Sequence, residues 1–238
     1  MNIAIVGSGN VASHLNRALK PKAAVSLVNP HSLEGLPENV DVVIIAVADD
    51  AIAEVASLIP DSGALVVHTS GSVPIETLAP FFSKYGVLYP LQTFSKDIRL
   101  QYDEIPVFLE ASSEETLSIL KQTASLFTSH IRNADSHTRK ILHLSAVFAC
   151  NFANALIGIG YDILKKNGIE GEVLQPLLSQ TFMKLMTMQP EQAQTGPALR
   201  GDRRVIQSHL EILENQPELA EIYRLISDII YRKKHLLK

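Results

Sequence analysis

Gly7-Ser8-Gly9-Asn10-Val11-Ala12 follows the apolar run Ile3 to Val6 and opens an amphipathic segment. This is the G-x-G-x-x-A spacing of a strand-to-helix turn that receives a pyrophosphate. In such a turn Gly7 permits the reversal, Gly9 lets the backbone approach a phosphate, and Ala12 allows close helix packing. The helix N-terminus adds free N–H groups and positive dipole. The chemistry is that of a bound dinucleotide, with Gly7, Ser8, Gly9, Asn10 and Val11 as contacts. The acidic residue that would hold the ribose of NAD is missing after the second strand, where Asn29-Pro30-His31-Ser32 stands instead. No carboxylate there repels a 2′-phosphate, and Asn29, His31 and Ser32 can donate to one. NADP is therefore favoured, with NAD possible.

Ligands of open α/β sheets bind beyond the carboxyl ends of the strands. Ala46 and Val47, ahead of Ala48-Asp49-Asp50, and Thr69, in His68-Thr69-Ser70-Gly71-Ser72, are expected to line the dinucleotide; Tyr89-Pro90-Leu91-Gln92-Thr93-Phe94-Ser95 would form a cleft wall. In the second half, Lys140, His143, Asn151 and Asn154 fall within about an 80° arc at helical spacing, on a segment otherwise made of Leu, Ala, Val, Phe and Ile. A continuous polar stripe on an apolar helix implies a wet cleft or an interface with another helix. Lys140 and His143 are the candidates for moving a proton, and Ser70 and Asn151 for orienting a substrate. Arg200, in the constrained loop Thr195-Gly196-Pro197-Ala198-Leu199-Arg200-Gly201-Asp202, could hold a carboxylate or phosphate, with Asp202 as a helix N-cap. His130, His137 and His143 lack the spacing of a metal site, and none is expected.

These residues need elements to carry them. Short β-branched runs at Asn2 to Val6, Val25 to Val28, Val42 to Val47, Ala64 to His68, Val87 to Leu88 and Pro106 to Leu109 read as buried strands of a parallel sheet. Helical stretches lie at Asn10 to Leu19, Asp50 to Leu58, Ile75 to Phe82 and Ser113 to Phe127. Pro30, Gly35 and Pro37 leave no room for a helix between the second and third strands. After His130-Ile131-Arg132 only helical patterns remain: Ser136 to Asn167, Glu172 to Met188, Asp202 to Glu214 and Pro217 to Leu237. The expected domains are 1–132, α/β and dinucleotide-binding, and 133–238, all-helical and serving substrate and dimerisation.

The 238 residues are 46% apolar, enough for one or two packed domains. A net charge of -4 provides no basic field for nucleic acid or an anionic membrane. A lone cysteine, Cys150, excludes an intrachain disulfide and points to a reducing cytoplasm. No targeting segment is visible at the N-terminus. Ile141 to Leu164 is interrupted by His143, Asn151, Asn154 and Asp162, so it reads as a buried helix of a soluble protein, with Cys150 packed and inert inside it.

The glycine turn, His68 to Ser72, Tyr89 to Ser95, Leu142-His143-Leu144-Ser145-Ala146-Val147-Phe148-Ala149-Cys150-Asn151 and Thr195 to Asp202 together resemble a bacterial family of NADP-dependent oxidoreductases. That family joins a Rossmann-like domain to a helical C-terminal domain of unknown function. More distantly the chain is similar to β-hydroxyacid dehydrogenases, ketopantoate reductase and pyrroline-5-carboxylate reductase. The resemblance implies a Rossmann-like parallel-sheet domain followed by an all-α domain of the 6-phosphogluconate dehydrogenase C-terminal type, and a homodimer formed through the helices. It also implies hydride transfer between NADP(H) and a small anionic oxo, hydroxy or imino substrate. Two residues depart from the related patterns: His143 stands where a Lys-x-x-Asn motif starting at Lys140 would have Asn, and Tyr89 where the family more often has His. The alternatives are a non-catalytic NADP(H)-binding sensor and an S-adenosylmethionine methyltransferase. The missing ribose-binding carboxylate disfavours the latter.

Overall fold

The computed structural model describes residues 1–235. Seven strands form one sheet in the order β2-β1-β3-β4-β5-β6-β7: β1 Asn2–Val6, β2 Ala24–Val28, β3 Val42–Ile45, β4 Leu65–His68, β5 Tyr85–Pro90, β6 Val107–Ala111 and β7 Ile131–Asn133. The first five run parallel; β6 turns antiparallel to β5 and β7 runs parallel to β6. Side chains alternate across the sheet as the pleat demands. Ile3, Ile5, Val42, Ile44, Leu65 and Val67 bury on one face against helices α1 (Asn10–Leu19) and α3 (Glu114–Ser125). Ala4, Val6, Val43, Ile45 and Val66 bury on the other, against α2 (Ile52–Leu58).

The turn from β2 to β3 has no helix, and Leu33 there adopts φ 53, a left-handed conformation unfavourable for a branched side chain. The expected helix Ile75 to Phe82 is a short 3-10 turn, Ile75–Leu78, and the expected last helix runs Pro217–His235; Leu236 and Leu237 lie outside the described residues. Strand β7 was not expected as a strand: it is short, and only its pairing with β6 creates it.

After Asn133 the described chain is helix and turn. Compactness divides it elsewhere than at the change of secondary structure, into units Met1–Ile157 and Gly158–Lys238. Helix α4 (Ser136–Ala146) stays with the sheet because Arg139 reaches into it, as described below. Helix α4 passes through a π-helical turn, Val147–Phe152, into α5 (Ala153–Lys166). A π turn takes i→i+5 bonds and absorbs an extra residue, displacing everything after it by about 100°. The arc expected for a continuous α-helix is broken there: Asn151 lies within the turn, and Asn154, after it, is shifted off the stripe of Lys140 and His143.

The expectation of a buried helix also needs correcting. Ser136–Lys166 is long and apolar enough to cross a membrane by length and composition. None of its apolar side chains is buried within the chain: several, such as Leu142, are half-buried, and Phe148 is 64% exposed. Cys150 is exposed rather than packed. An apolar pattern marks a face that wants cover, but says nothing of where the cover comes from. The second unit shows the same want: among its described residues only Ala198, Leu213 and Ala220 are buried apolar side chains, while Leu177 is 63% and Met186 86% exposed.

Candidate functional site

The sheet order reverses at β1, where β2 lies on one side and β3 on the other, and a crevice forms at such a switch point. Bonds from Gly7 N to Val28 O (3.1 Å), Ala46 N to Val6 O (2.8 Å) and Thr69 N to Ile45 O (3.2 Å) align the carboxyl ends of these strands. Gly7 has φ +145, and a Cβ on it would lie 2.2 Å from the Ala46 carbonyl oxygen. A Cβ on Gly9 would meet nothing within 4 Å. Gly9 is also the N-cap of α1, whose first turn has no acidic residue and no side-chain cap. The glycine turn thus presents uncapped N–H groups to open space, as an anion site requires. A cavity of about 500 Å³ adjoins it, within the size range of ligand pockets. Ser8, Gly9, Asn10, Val11, His31, Ala46 and Val47 line it, and Pro30, Ala48, Ala51, Glu54, Val55 and Leu58 close it from the β2 turn, the segment after β3 and α2. The donor set and the free space fit a dinucleotide phosphate.

Several expected contacts are engaged elsewhere by their side chains. Asn29 Oδ1 accepts from His31 N at 2.9 Å and Ser32 Oγ from Glu34 N at 3.3 Å, so both shape the β2 turn while keeping a donor each. Asn10 Nδ2 donates to Phe94 O at 2.9 Å. One α1 face continues this grip: His14 bonds Ser95 O (2.8 Å) and Arg17 bonds Lys96 O (2.9 Å). Positions i, i+4 and i+7 share a helix face, so the turn-bearing helix clamps three successive carbonyls after β5. A carbonyl only accepts, so His14 Nε2 carries the proton and Nδ1 accepts from the Tyr102 hydroxyl at 3.0 Å.

A second cluster gathers at the ends of β4 and β5. Ser70 Oγ accepts from Ser72 N and Val73 N, both at 3.0 Å, closing its own turn, and Ser72 Oγ donates to Asp49 at 2.6 Å. Gly71 packs against Tyr89 and His143; a Cβ there would come within 2.8 Å of both side chains. The Tyr89 hydroxyl lies 3.1 Å from His143 Nδ1. Burial raises the Tyr89 pKa above its ordinary value; Arg139 opposes this and Asp49 adds to it. Lys140 is exposed one helical turn before His143.

Arg139, the neighbour of the expected Lys140, holds this cluster together. It is fully buried. Its Nη1 donates to the carbonyls of Ser70 (3.0 Å) and Val73 (2.9 Å), and its Nη2 to Glu110 (2.7 Å) and Ser136 Oγ (3.0 Å). Ser136 in turn donates to Glu110 from N and Oγ. The only signals in the sequence are a carboxylate at the end of an apolar strand and an arginine three residues before Leu142 on a helix face. Neither indicates the pairing.

His68 ends β4 fully buried. Its Nδ1 accepts from Ser70 N at 3.2 Å, while Nε2 has no well-formed hydrogen bond among the described residues. Burial first, then Arg139, lowers its pKa to about 4, against weaker opposing effects of the Pro74 carbonyl and Asp49. A histidine with a depressed folded pKa stabilises the fold fully above the unfolded value of 6.5, and this contribution is lost as pH falls through 4. Stability should drop on acidification by up to about 3 kcal/mol more in the wild type than in His68→Asn, which keeps an acceptor for Ser70 N. Urea midpoints across that window measure the difference, and equal losses would refute it.

Arg200 lies in the second unit at the end of a short helix, Pro197–Arg200, closed by Gly201 at φ 73. Asp202 caps the next helix by accepting from Val205 N at 3.3 Å. Among the described residues no group of His, Cys, Asp and Glu could hold a metal.

Residues 105–230 match the family model of a domain of unknown function, DUF2520. A protein from Bacteroides fragilis named "putative NADP oxidoreductase" is 35% identical, with TM-score 0.89 over 97% of this chain and 98% of its own. A protein from Thermotoga maritima is 24% identical with TM-score 0.74 over 98% of each chain. An imine reductase from Streptomyces aurantiacus shares the fold at 14% identity and TM-score 0.64, over 98% of this chain and 94% of its own. No curated protein matches in sequence. The chain belongs to the DUF2520 family, with a Rossmann-like sheet followed by helices.

Proposed function

We propose that the protein is an NADP-dependent oxidoreductase that moves a hydride between NADP(H) and a small anionic oxo, hydroxy or imino substrate. The observation that carries this reading is the glycine turn: Gly7 is packed on Ala46 O, while Gly9 is open beside a cavity at the switch point. The name of the 35% identical B. fragilis protein supports NADP as the cofactor. When bound, the nicotinamide supplies the hydride. The turn and the α1 N-terminus would hold the pyrophosphate, His31, Asn29 and Ser32 the 2′-phosphate, and Thr69 the ribose side of the nicotinamide. His143 would face the reacting carbon's oxygen or nitrogen, with Lys140 a turn away supplying protons from solvent. Calorimetry should show NADPH binding more tightly than NADH. Deuteride from labelled NADPH should appear in a product from a panel of small oxo and imino acids. Tight binding with no transfer would leave the non-catalytic sensor instead.

The second part of the proposal is a homodimer through the helices, because their exposed Phe148, Leu177 and Met186 leave apolar surface that a second copy would cover. Sedimentation equilibrium should give twice the chain mass at micromolar concentration. A monomer, or partition into lipid vesicles, would overturn this assignment.

A further inference from the structure

We infer that Tyr89 is a positioning residue that holds His143 in its Nε2–H tautomer, making His143 a neutral hydrogen-bond donor to the substrate; its catalytic meaning rests on the function proposed above. The argument begins with the phenol. Tyr89 is 7% exposed, and His143 Nδ1, at 3.1 Å, is the partner of its hydroxyl among the described residues. If His143 Nδ1 carried the proton, it would donate to the phenol oxygen and leave the Tyr89 O–H without an acceptor in a nearly dry site. That costs more than the bond returns. With the Tyr89 O–H donating, both groups are satisfied and the proton of neutral His143 resides on Nε2.

The arrangement is held from two sides. Gly71 is packed against both rings, so close that a side chain there would displace one of them. The Gly71 turn is in turn fixed by Arg139 through the carbonyls of Ser70 and Val73. The backbone wall against which both rings pack is thereby held by a buried guanidinium. His143 is half-buried and Tyr89 lies deeper, which leaves Nε2 as the outward atom of the pair. A neutral Nε2–H would polarise a C=O or C=N as the hydride arrives from the nicotinamide, the product's proton coming from Lys140, and the same groups would serve the reverse reaction in the opposite order.

The tautomer can be read without any substrate. Nitrogen NMR of ¹⁵N-histidine-labelled protein in mildly alkaline solution, with His143 assigned by its loss in His143→Gln, should show a protonated Nε2 and a bare Nδ1. Tyr89→Phe keeps the ring and removes the donor, so the His143 signals should move toward a mixture of tautomers. A protonated Nδ1 in the wild type, or signals unchanged by Tyr89→Phe, would overturn the inference whatever the enzyme does. Where hydride transfer is detected, Tyr89→Phe should lower kcat about 10- to 100-fold with KM for the substrate unchanged, the size of effect typical of a residue that orients a histidine. The expected tautomer without transfer to any substrate would count against the proposed function and leave the positioning role standing.

Discussion

Replacing Glu110 by Ala should cost about 3–5 kcal/mol of stability. Glu110 is the counter-charge of Arg139, which has no exposed surface and whose Nε already lacks a partner among the described residues. Burial pulls the Arg139 pKa down and Glu110 pulls it back up. Without the carboxylate an uncompensated cation remains inside the protein, held by two carbonyls and a hydroxyl. Ser136 also loses the acceptor for its N–H and hydroxyl at the start of α4. The pair need not be net stabilising for this to hold, since desolvating two charges offsets much of their attraction. The double replacement Glu110→Leu with Arg139→Met should therefore recover most of the loss in urea unfolding. It should not recover function, because nothing then ties the Ser70 to Val73 turn to α4. A single Glu110→Ala variant as stable as the wild type would show that the ion pair is not buried in solution.

The second large effect lies in the glycine turn, where two substitutions separate folding from binding. Gly7→Ala places a Cβ 2.2 Å from the Ala46 carbonyl oxygen, at a φ of +145 that side chains avoid. Conformational strain of about 1–3 kcal/mol adds to a forced separation of β1 from β3 of about 1–3 kcal/mol. Melting temperature and NADPH affinity should both fall. Gly9→Ala meets no neighbouring atom, so stability should change by no more than about 0.5 kcal/mol. Its methyl projects into the space where the pyrophosphate is proposed to lie, and calorimetry should show NADPH affinity reduced at least tenfold, about 1.4 kcal/mol. Unchanged affinity in Gly9→Ala would place the dinucleotide elsewhere.

Local chemistry explains what could be read from the chain. A β-branched run, a glycine at a tight reversal and an amphipathic helix are neighbours in sequence, so β1, the turn and α1 were legible, as was the absence of a helix between β2 and β3. Ser113, at the start of an expected helix, caps it through Thr116 N, within a few residues of itself. Asp202 was legible for the same reason. Helix periodicity failed where its premise failed, at the π turn of Val147–Phe152, because i→i+5 bonding leaves no mark in the apolar pattern.

The sequence by itself determined the order of β1 to β6, the glycine turn with the helix it opens, and the family. The tertiary structure alone decided which polar groups meet. Arg139 and Glu110 are 29 residues apart, Tyr89 and His143 54, and His14 and Ser95 81. In each pair a polar or charged group is taken out of water, which is tolerable only when a distant element brings its partner. Nothing near Arg139 in the chain says that it will be buried, and nothing in the apolar pattern around Phe148 says that the folded chain leaves it exposed. Hydrophobic pattern specifies a face to be hidden; only packing assigns what hides it.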